Sequence, residues 1–449
     1  MSGWLETVRR HRLTIVGLAV ALLLGSWMVS SLLAPYRDRI KESIRQGGYP
    51  ATMSELDAWY PSVPPAENAA LVYTNAFALL TNATGPNSAI TTALPPIGRA
   101  FSPDEEAALK AELAENAAAL RLIYSAPASG RSHYAVRLEA GFDGMLPHLA
   151  KTKQAVTLLS AAGLMYASDG DAERATQAFL AAARVADSLA EEPTVVSQFV
   201  RCNDWAWLLQ GLERALSLTR FSDGQLAAMQ KLVLEAERPR AMARAMAVER
   251  VCGLNVMTDP KGSATAVRSQ GGHRQWHGIA GSVCMGLFWA TGLQRKDTSF
   301  YAERMAEHIA ALELPYPERA KAGNQVAALT NPSNRLCIFS RMLLPALVAV
   351  PGRDAKHVAT VRTAAAALAV ERFRLAHTNA LPERLDQAAP YCCTNLPADP
   401  FDGQPLRYKT HGGSYVVYSI GSDGKDDGGV VWDANYSKVR QDISILVRH

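Results

Sequence analysis

Near the C-terminus the run SIGSDGKDDGGVVWDA gathers four carboxylates, Asp423, Asp426, Asp427 and Asp433, between glycines that permit tight curvature. Oxygen ligands on a flexible loop are the chemistry of a hard cation, so calcium is the expected ligand. The spacing is not that of an EF-hand. Lys425 holds its third position and Ala434 the twelfth, where a glutamate is required. A solvated acidic turn, with aspartates bonded to backbone amides, is the alternative.

Other candidate chemistry is thinner. Asp399 and Asp402 flank DPFDG, a turn in which Asp399 starts the bend and Gly403 supplies a backbone angle closed to other residues. His273 and His277, with Cys252 and Cys284 nearby, would allow a zinc site to be drawn, but the spacing matches no zinc module and no HExxH accompanies it. Gly281-Ser282 lacks the GxSxG elbow, and no GxxxxGK[ST] phosphate loop occurs. Among the six cysteines there is no CxxC, so they read chiefly as buried thiols; a Cys252–Cys284 bond and a redox or metal role for the adjacent Cys392 and Cys393 are the other readings. No catalytic residue is assigned on these grounds.

The elements that must position these groups follow from patterning. Leu13 to Ala34 is an uncharged run of 22 residues. As a helix it spans roughly 33 Å, enough to cross a bilayer. Leu33 and Ala34 lead into Pro35, a poor signal-peptidase context, so the run is expected to persist as an anchor. Basic residues flank it on both sides and do not set its orientation.

With 48% hydrophobic and 20% charged residues the chain has the composition of a globular protein, and a net charge of +4 without an aromatic-basic stripe argues against nucleic acid. Residues 35–100 alternate short amphipathic pieces with turn clusters. Ser102 caps a helix through SPDEEAALKAELAENAAALRLIYSA. The passage SAAGLMYASDGDAERATQAFLAAARVADSLA is similar to a tetratricopeptide hairpin, with Gly163 and Tyr166 on one helix and Ala175, Phe179 and Ala182 on the next. An ordinary antiparallel helix pair fits it equally. Helices are expected over 241–256, 298–312 and 334–350, with a Gly-rich loop at 261–282.

The last hundred residues read as a helix over 355–377, the turn NALPERLDQAAP, then LPADPFDGQPLRYKTHGGSYVVYSIGSDGKDDGG and a final strand DISILVRH. That order resembles the periplasmic head of the major pseudopilin of type II secretion, over about ninety residues. The resemblance implies a calcium-stabilised head, with Asp423 and either Asp427 or Asp433 as the matching ligands. Lys425 and a shortened segment depart from the family pattern. The pseudopilin leader, a glycine before an apolar helix with a glutamate near its start, is not found between Met1 and Ser30.

The expected fold is therefore mainly α: a cytoplasmic tail (1–12), a transmembrane anchor (13–34), a linker with short helices (35–100), an α-helical body with hairpin or tetratricopeptide character (101–350) and a small α+β pseudopilin-like domain (351–449). The expected function is non-catalytic: a single-pass protein of the inner membrane, its body outside the cytoplasm, making contacts with a protein partner. Two alternatives stand beside it, a secretion or pilus-assembly component and a hydrolase-type enzyme near the 261–282 loop with His273 or His277 as base.

Overall fold

A computed structural model of the chain describes residues 36–81, 94–127, 131–258, 293–329, 337–392, 396–429 and 442–448. The anchor run 13–34, the loop 261–282 with His273, His277 and Cys284, and Cys393 and Asp433 lie outside the described residues. No described helix is long and apolar enough to cross a membrane. The described residues are mainly helical with one small sheet.

Two compact units emerge. The smaller takes residues up to 56, 247–307 and 328–348; the larger takes 57–246, 308–327 and 349–449. In chain order the helices are α1 (36–46), α2 (Ala69–Leu79), α3 (Pro103–Glu115), α4 (Ala117–Tyr124), α5 (His148–Ser168), α6 (Ala172–Asp187), α7 (Val195–Leu216), α8 (Asp223–Glu235), α9 (Ala241–Thr258), α10 (Leu293–Glu313), α11 (Glu318–Leu329), α12 (Ile338–Leu343) and α13 (Val350–Ala376). The strands are β1 (Arg407–His411), β2 (Ser414–Ser419) and β3 (Ile443–Val447).

Local chemistry starts and stops these helices. Ser102 opens α3 with a capping box, its Oγ taking the Glu105 N–H at 3.3 Å while Glu105 takes the Ser102 N–H at 2.7 Å. The single helix expected through Tyr124 breaks at Asn116. The Asn116 side chain accepts from Thr81 N–H at 3.0 Å and donates to the Glu112 carbonyl at 3.0 Å, bonds that tie it to the backbone on either side. Asp171 and Thr194 cap α6 and α7.

In the larger unit α5, α6 and α7 pack together through small residues. An added Cβ at Gly163 would lie 2.9 Å from the Phe179 ring, and one at Gly211 would lie 3.3 Å from it. Phe179 thus fills the space that two glycines leave open. α13 joins the same core through Val361, Leu368 and Val370, and so does one face of the sheet through Tyr415, Val417, Ile445 and Val447. Strand order is β1-β2-β3, antiparallel throughout, with Tyr415 opposite Val447 and Val417 opposite Ile445. Val416, Tyr418 and Leu446 form a second buried cluster on the other face, against Ile97. Both faces are covered at β2 and β3, whose central residues read as apolar runs, whereas β1 (RYKTH) is half-buried to exposed. The boundary drawn at 350 from the sequence runs through this shared core.

The smaller unit is held by polar ties as well as by apolar contact. The Asp297 carboxylate on α10 takes the N–H groups of Phe339 (2.8 Å) and Ser340 (3.0 Å), capping α12 from another helix. Glu55 receives Arg45 Nη2 and the Ala51 N–H, each at 2.7 Å, which closes the turn after α1. Arg45 and the Ala51 amide both draw the Glu55 pKa down, to about 2.

Candidate functional site

Two of the described carboxylates of the acidic loop, Asp423 and Asp426, bond within their own turn. Asp423 Oδ1 takes the Lys425 N–H at 3.2 Å. Asp426 Oδ1 takes the Gly428 N–H at 2.9 Å and the Tyr418 hydroxyl at 3.1 Å. Those are Asx-turn bonds, in which the carboxylate substitutes for a backbone acceptor. Asp427 lies in the same turn, and its backbone N–H is directed at Asp442. Among the described residues no group of three or more His, Cys, Asp or Glu side chains is placed to hold a metal. One oxygen of each of Asp423 and Asp426 is engaged in the turn, Asp433 lies outside the described residues, and no functional step is drawn from calcium.

DPFDG forms the expected turn, with Gly403 at φ 76°. Its first carboxylate does more than start the bend. Asp399 is fully buried and accepts from the Phe401 and Ile420 N–H groups (3.0 Å each), the Ser419 hydroxyl (2.9 Å) and Arg407 Nη1 (2.8 Å). That is the pattern of a structural linchpin.

A more serine-hydrolase-like group lies where no sequence motif marks it. Half-buried His148 and buried Glu192 and Ser197 form a chain, with Glu192 Oε2 2.9 Å from His148 Nε2 and the Ser197 hydroxyl donating to Glu192 Oε1. A nucleophile must touch its base, with the carboxylate behind the base. Here the carboxylate stands between serine and histidine. The arrangement instead fixes the turn between α6 and α7, where Gln198 Nε2 also donates to the carbonyls of Leu189 and Glu192 at 2.9 and 2.8 Å. Cys202 and Cys252 carry free thiols, and burial pushes both up to about 12, far from the range of a reactive thiolate.

A cleft of about 370 Å³ lies in the larger unit, at the C-terminal end of α6. Such a volume suits a small ligand or a short stretch of peptide. Its floor is electrostatically built. Asp187 ends α6 and receives Arg201 Nε and Nη2 at 3.0 and 2.7 Å, and Arg238 Nη2 at 2.6 Å. Arg201 is almost fully buried and also donates to the Ala236 carbonyl at 2.6 Å. His357 shares that carbonyl at 3.2 Å. Burial, and then the Arg201 charge, hold its pKa down to about 3, so the ring is a neutral Nε2–H donor and not a base.

Above that floor, several groups are left unanswered. Trp205 Nε1 and Ser132 Oγ are buried, on residues 1% and 3% exposed, and neither finds a hydrogen-bond partner. Both residues line the cleft. Buried polar atoms are nearly always paired, so two orphan donors on one cavity mark a place where a ligand can supply the acceptor. Arg184, from the last turn of α6, also lines the cleft and pairs with no carboxylate among the described residues. Pro61, Val63 and Leu232 add apolar wall, while Glu191 and Glu235 bring negative charge to the rim. None of these residues was singled out from the sequence. They come from five separate stretches, and only the fold assembles them.

Compared with known proteins, the chain matches no family model, no curated protein and no solved structure.

Proposed function

We propose that the chain is a membrane-tethered, non-catalytic protein of the cell envelope whose helical body receives an acceptor-rich segment of a protein partner in the Trp205–Ser132–Arg184 cleft. One observation carries the reading: two buried donors without partners and an arginine without a carboxylate line the same cavity. A peptide segment meets those needs. Its carbonyls accept from Trp205 and Ser132, an acidic side chain or terminal carboxylate answers Arg184, and its apolar parts lie on Pro61, Val63 and Leu232. The run 13–34 supplies the tether, with the body outside the cytoplasm.

The test is selection of a random peptide library on the detergent-solubilised full chain, followed by affinity measurements on the enriched peptides. Enriched peptides are expected to carry a carboxylate and to bind at least about tenfold more weakly to Arg184→Ala, the loss of one charge-assisted bond. Trp205→Phe keeps the ring and removes only the N–H. It is expected to weaken binding several-fold, roughly the value of one neutral hydrogen bond. Peptides that bind equally to both variants and to the parent would sink the cleft as the binding site.

A further inference from the structure

One wall of the Trp205–Ser132–Arg184 cleft is main chain. Over 131–134 the chain carries no helix, and its burial alternates, with Arg131 exposed, Ser132 buried, His133 half-buried and Tyr134 buried, the period of an extended strand. The start of α2 lies along one side of it. Ala69 N–H donates to the Arg131 carbonyl at 3.0 Å, and the Asn68 carboxamide takes the His133 N–H at 2.8 Å and donates to the His133 carbonyl at 2.9 Å. The carboxamide thus serves His133 as the peptide group of an adjoining strand would. In an extended chain the N–H and C=O of one residue point to one side and those of the next residue to the other. Ser132 therefore directs its N–H and C=O away from Asn68, to the side on which the Tyr134 N–H meets the Tyr60 hydroxyl at 3.0 Å. Neither of those Ser132 groups is bonded among the described residues, and the Ser132 hydroxyl is equally unanswered. Ser132 is nevertheless 3% exposed, and it lines the cleft together with Pro61 and Val63, just beyond Tyr60. A buried residue whose donor, acceptor and hydroxyl all lack partners is a place where the pairing is completed from outside.

We infer that the partner segment lies in the cleft as an extended strand beside Arg131–His133, one of its amide N–H groups donating to the Ser132 carbonyl and one of its carbonyls accepting from the Ser132 N–H. The inference rests on the function proposed above and specifies the conformation in which the ligand binds. A helix bonds its own N–H and C=O groups internally and leaves Ser132 as it is, whereas a strand presents a donor and an acceptor side by side along one edge. A free carboxylate or phosphate answers Arg184 and the Trp205 donor but brings no N–H for the Ser132 carbonyl. Main-chain pairing of this kind supplies affinity without reading sequence, and the selectivity then falls to Arg184 and to the apolar wall of Pro61 and Val63.

The experiment takes a peptide enriched on the detergent-solubilised full chain and replaces each of its backbone amides in turn by an ester, which removes the N–H without adding bulk. Affinity is expected to fall about tenfold at one position, where a buried acceptor loses its donor, and by less than about threefold at the two neighbouring positions, whose N–H groups point to the other side. The same position is expected to be sensitive against Ser132→Ala, which removes the hydroxyl and keeps both backbone groups. Transferred NOE spectra of the bound peptide are expected to show strong contacts from each Hα to the next amide proton, the pattern of a strand. Tolerance of the ester at every position, a run of amide-to-amide contacts as in a helix, or sensitivity that disappears with Ser132→Ala overturns the strand. In each of those cases a surviving dependence on Arg184→Ala and Trp205→Phe leaves the cleft standing as the binding site. Loss of that dependence defeats the cleft, and the strand with it.

Discussion

A buried carboxylate is tolerated only if its oxygens are answered, and Asp399 has four donors from four residues, two of them backbone N–H groups. Removing it leaves the Phe401 and Ile420 amides and the Ser419 hydroxyl without their acceptor and takes one of the two carboxylates of Arg407. Asp399→Ala is therefore expected to destabilise the larger unit by about 3–5 kcal/mol, read as a drop in the urea midpoint of the full chain. Asp399→Asn retains one carbonyl oxygen and should fall between. Asp402→Ala, which loses an exposed turn bond to Gln404 and a partner of Arg407, should cost about 1 kcal/mol or less. The turn itself was legible from DPFDG, since proline and glycine dictate it locally. Burial of Asp399 was not, because Ser419, Ile420 and Arg407 reach it only after the strands have paired. At the acidic loop the sequence left open calcium ligation and a turn bonded to its own amides, and Asp423 and Asp426 do turn back onto their own backbone.

Among the elements, the α5–α6 hairpin was the most readable, because its DGD turn and small residues are local signals; α5 ends at Ser168 and α6 begins at Ala172. Its packing gives a sharp prediction. Replacing a helical glycine by alanine ordinarily gains about 1 kcal/mol. At Gly163 the new Cβ would lie within 3.0 Å of three Phe179 ring atoms, well inside contact distance. Overpacking a core costs about 1–3 kcal/mol, so the net effect of Gly163→Ala is expected to be destabilising. Gly224 of α8 is the control. An added Cβ there meets nothing within 4 Å, and Gly224→Ala should be neutral or stabilising by up to about 1 kcal/mol. Phe179→Leu should make Gly163→Ala less costly, and a double-mutant cycle on thermal unfolding checks that coupling. The elements that were misjudged failed for non-local reasons. Asn116 breaks a helix that continues well by propensity, since its side chain is recruited by Thr81, 35 residues away.

At the scale of the molecule, the sheet is not an independent head, since its inner face and α13 share one core with α5, α6 and α7. The sequence divides the chain at 350 by composition, and composition does not register which surfaces meet. The join has a titratable group in it. β3 lies at the edge of the sheet, and the buried N–H of Leu446 donates to the Glu213 carboxylate of α7 at 2.8 Å, while Arg448 N–H donates to Ser217 at 3.1 Å. Helix side chains thereby cover a strand edge that would otherwise be open to pairing. Burial pushes the Glu213 pKa from 4.5 up to about 7, a shift that outweighs the opposing Leu446 amide and Arg214. The folded protein consequently holds a proton that the unfolded chain has released between those two pH values. Stability must fall as pH rises from about 4.5 to 7 and level off above, by an amount on the order of 3 kcal/mol from this one group. Glu213→Gln keeps an oxygen for Leu446 and cannot ionise. Denaturation of the full chain at pH 5 and pH 8 should therefore show the variant close to the parent at the lower pH and more stable at the higher. Helical and sheet probes should move together in both proteins, because unseating β3 opens the core that the helices share; a sheet that melted first, with the helices unaffected, would restore the separate head.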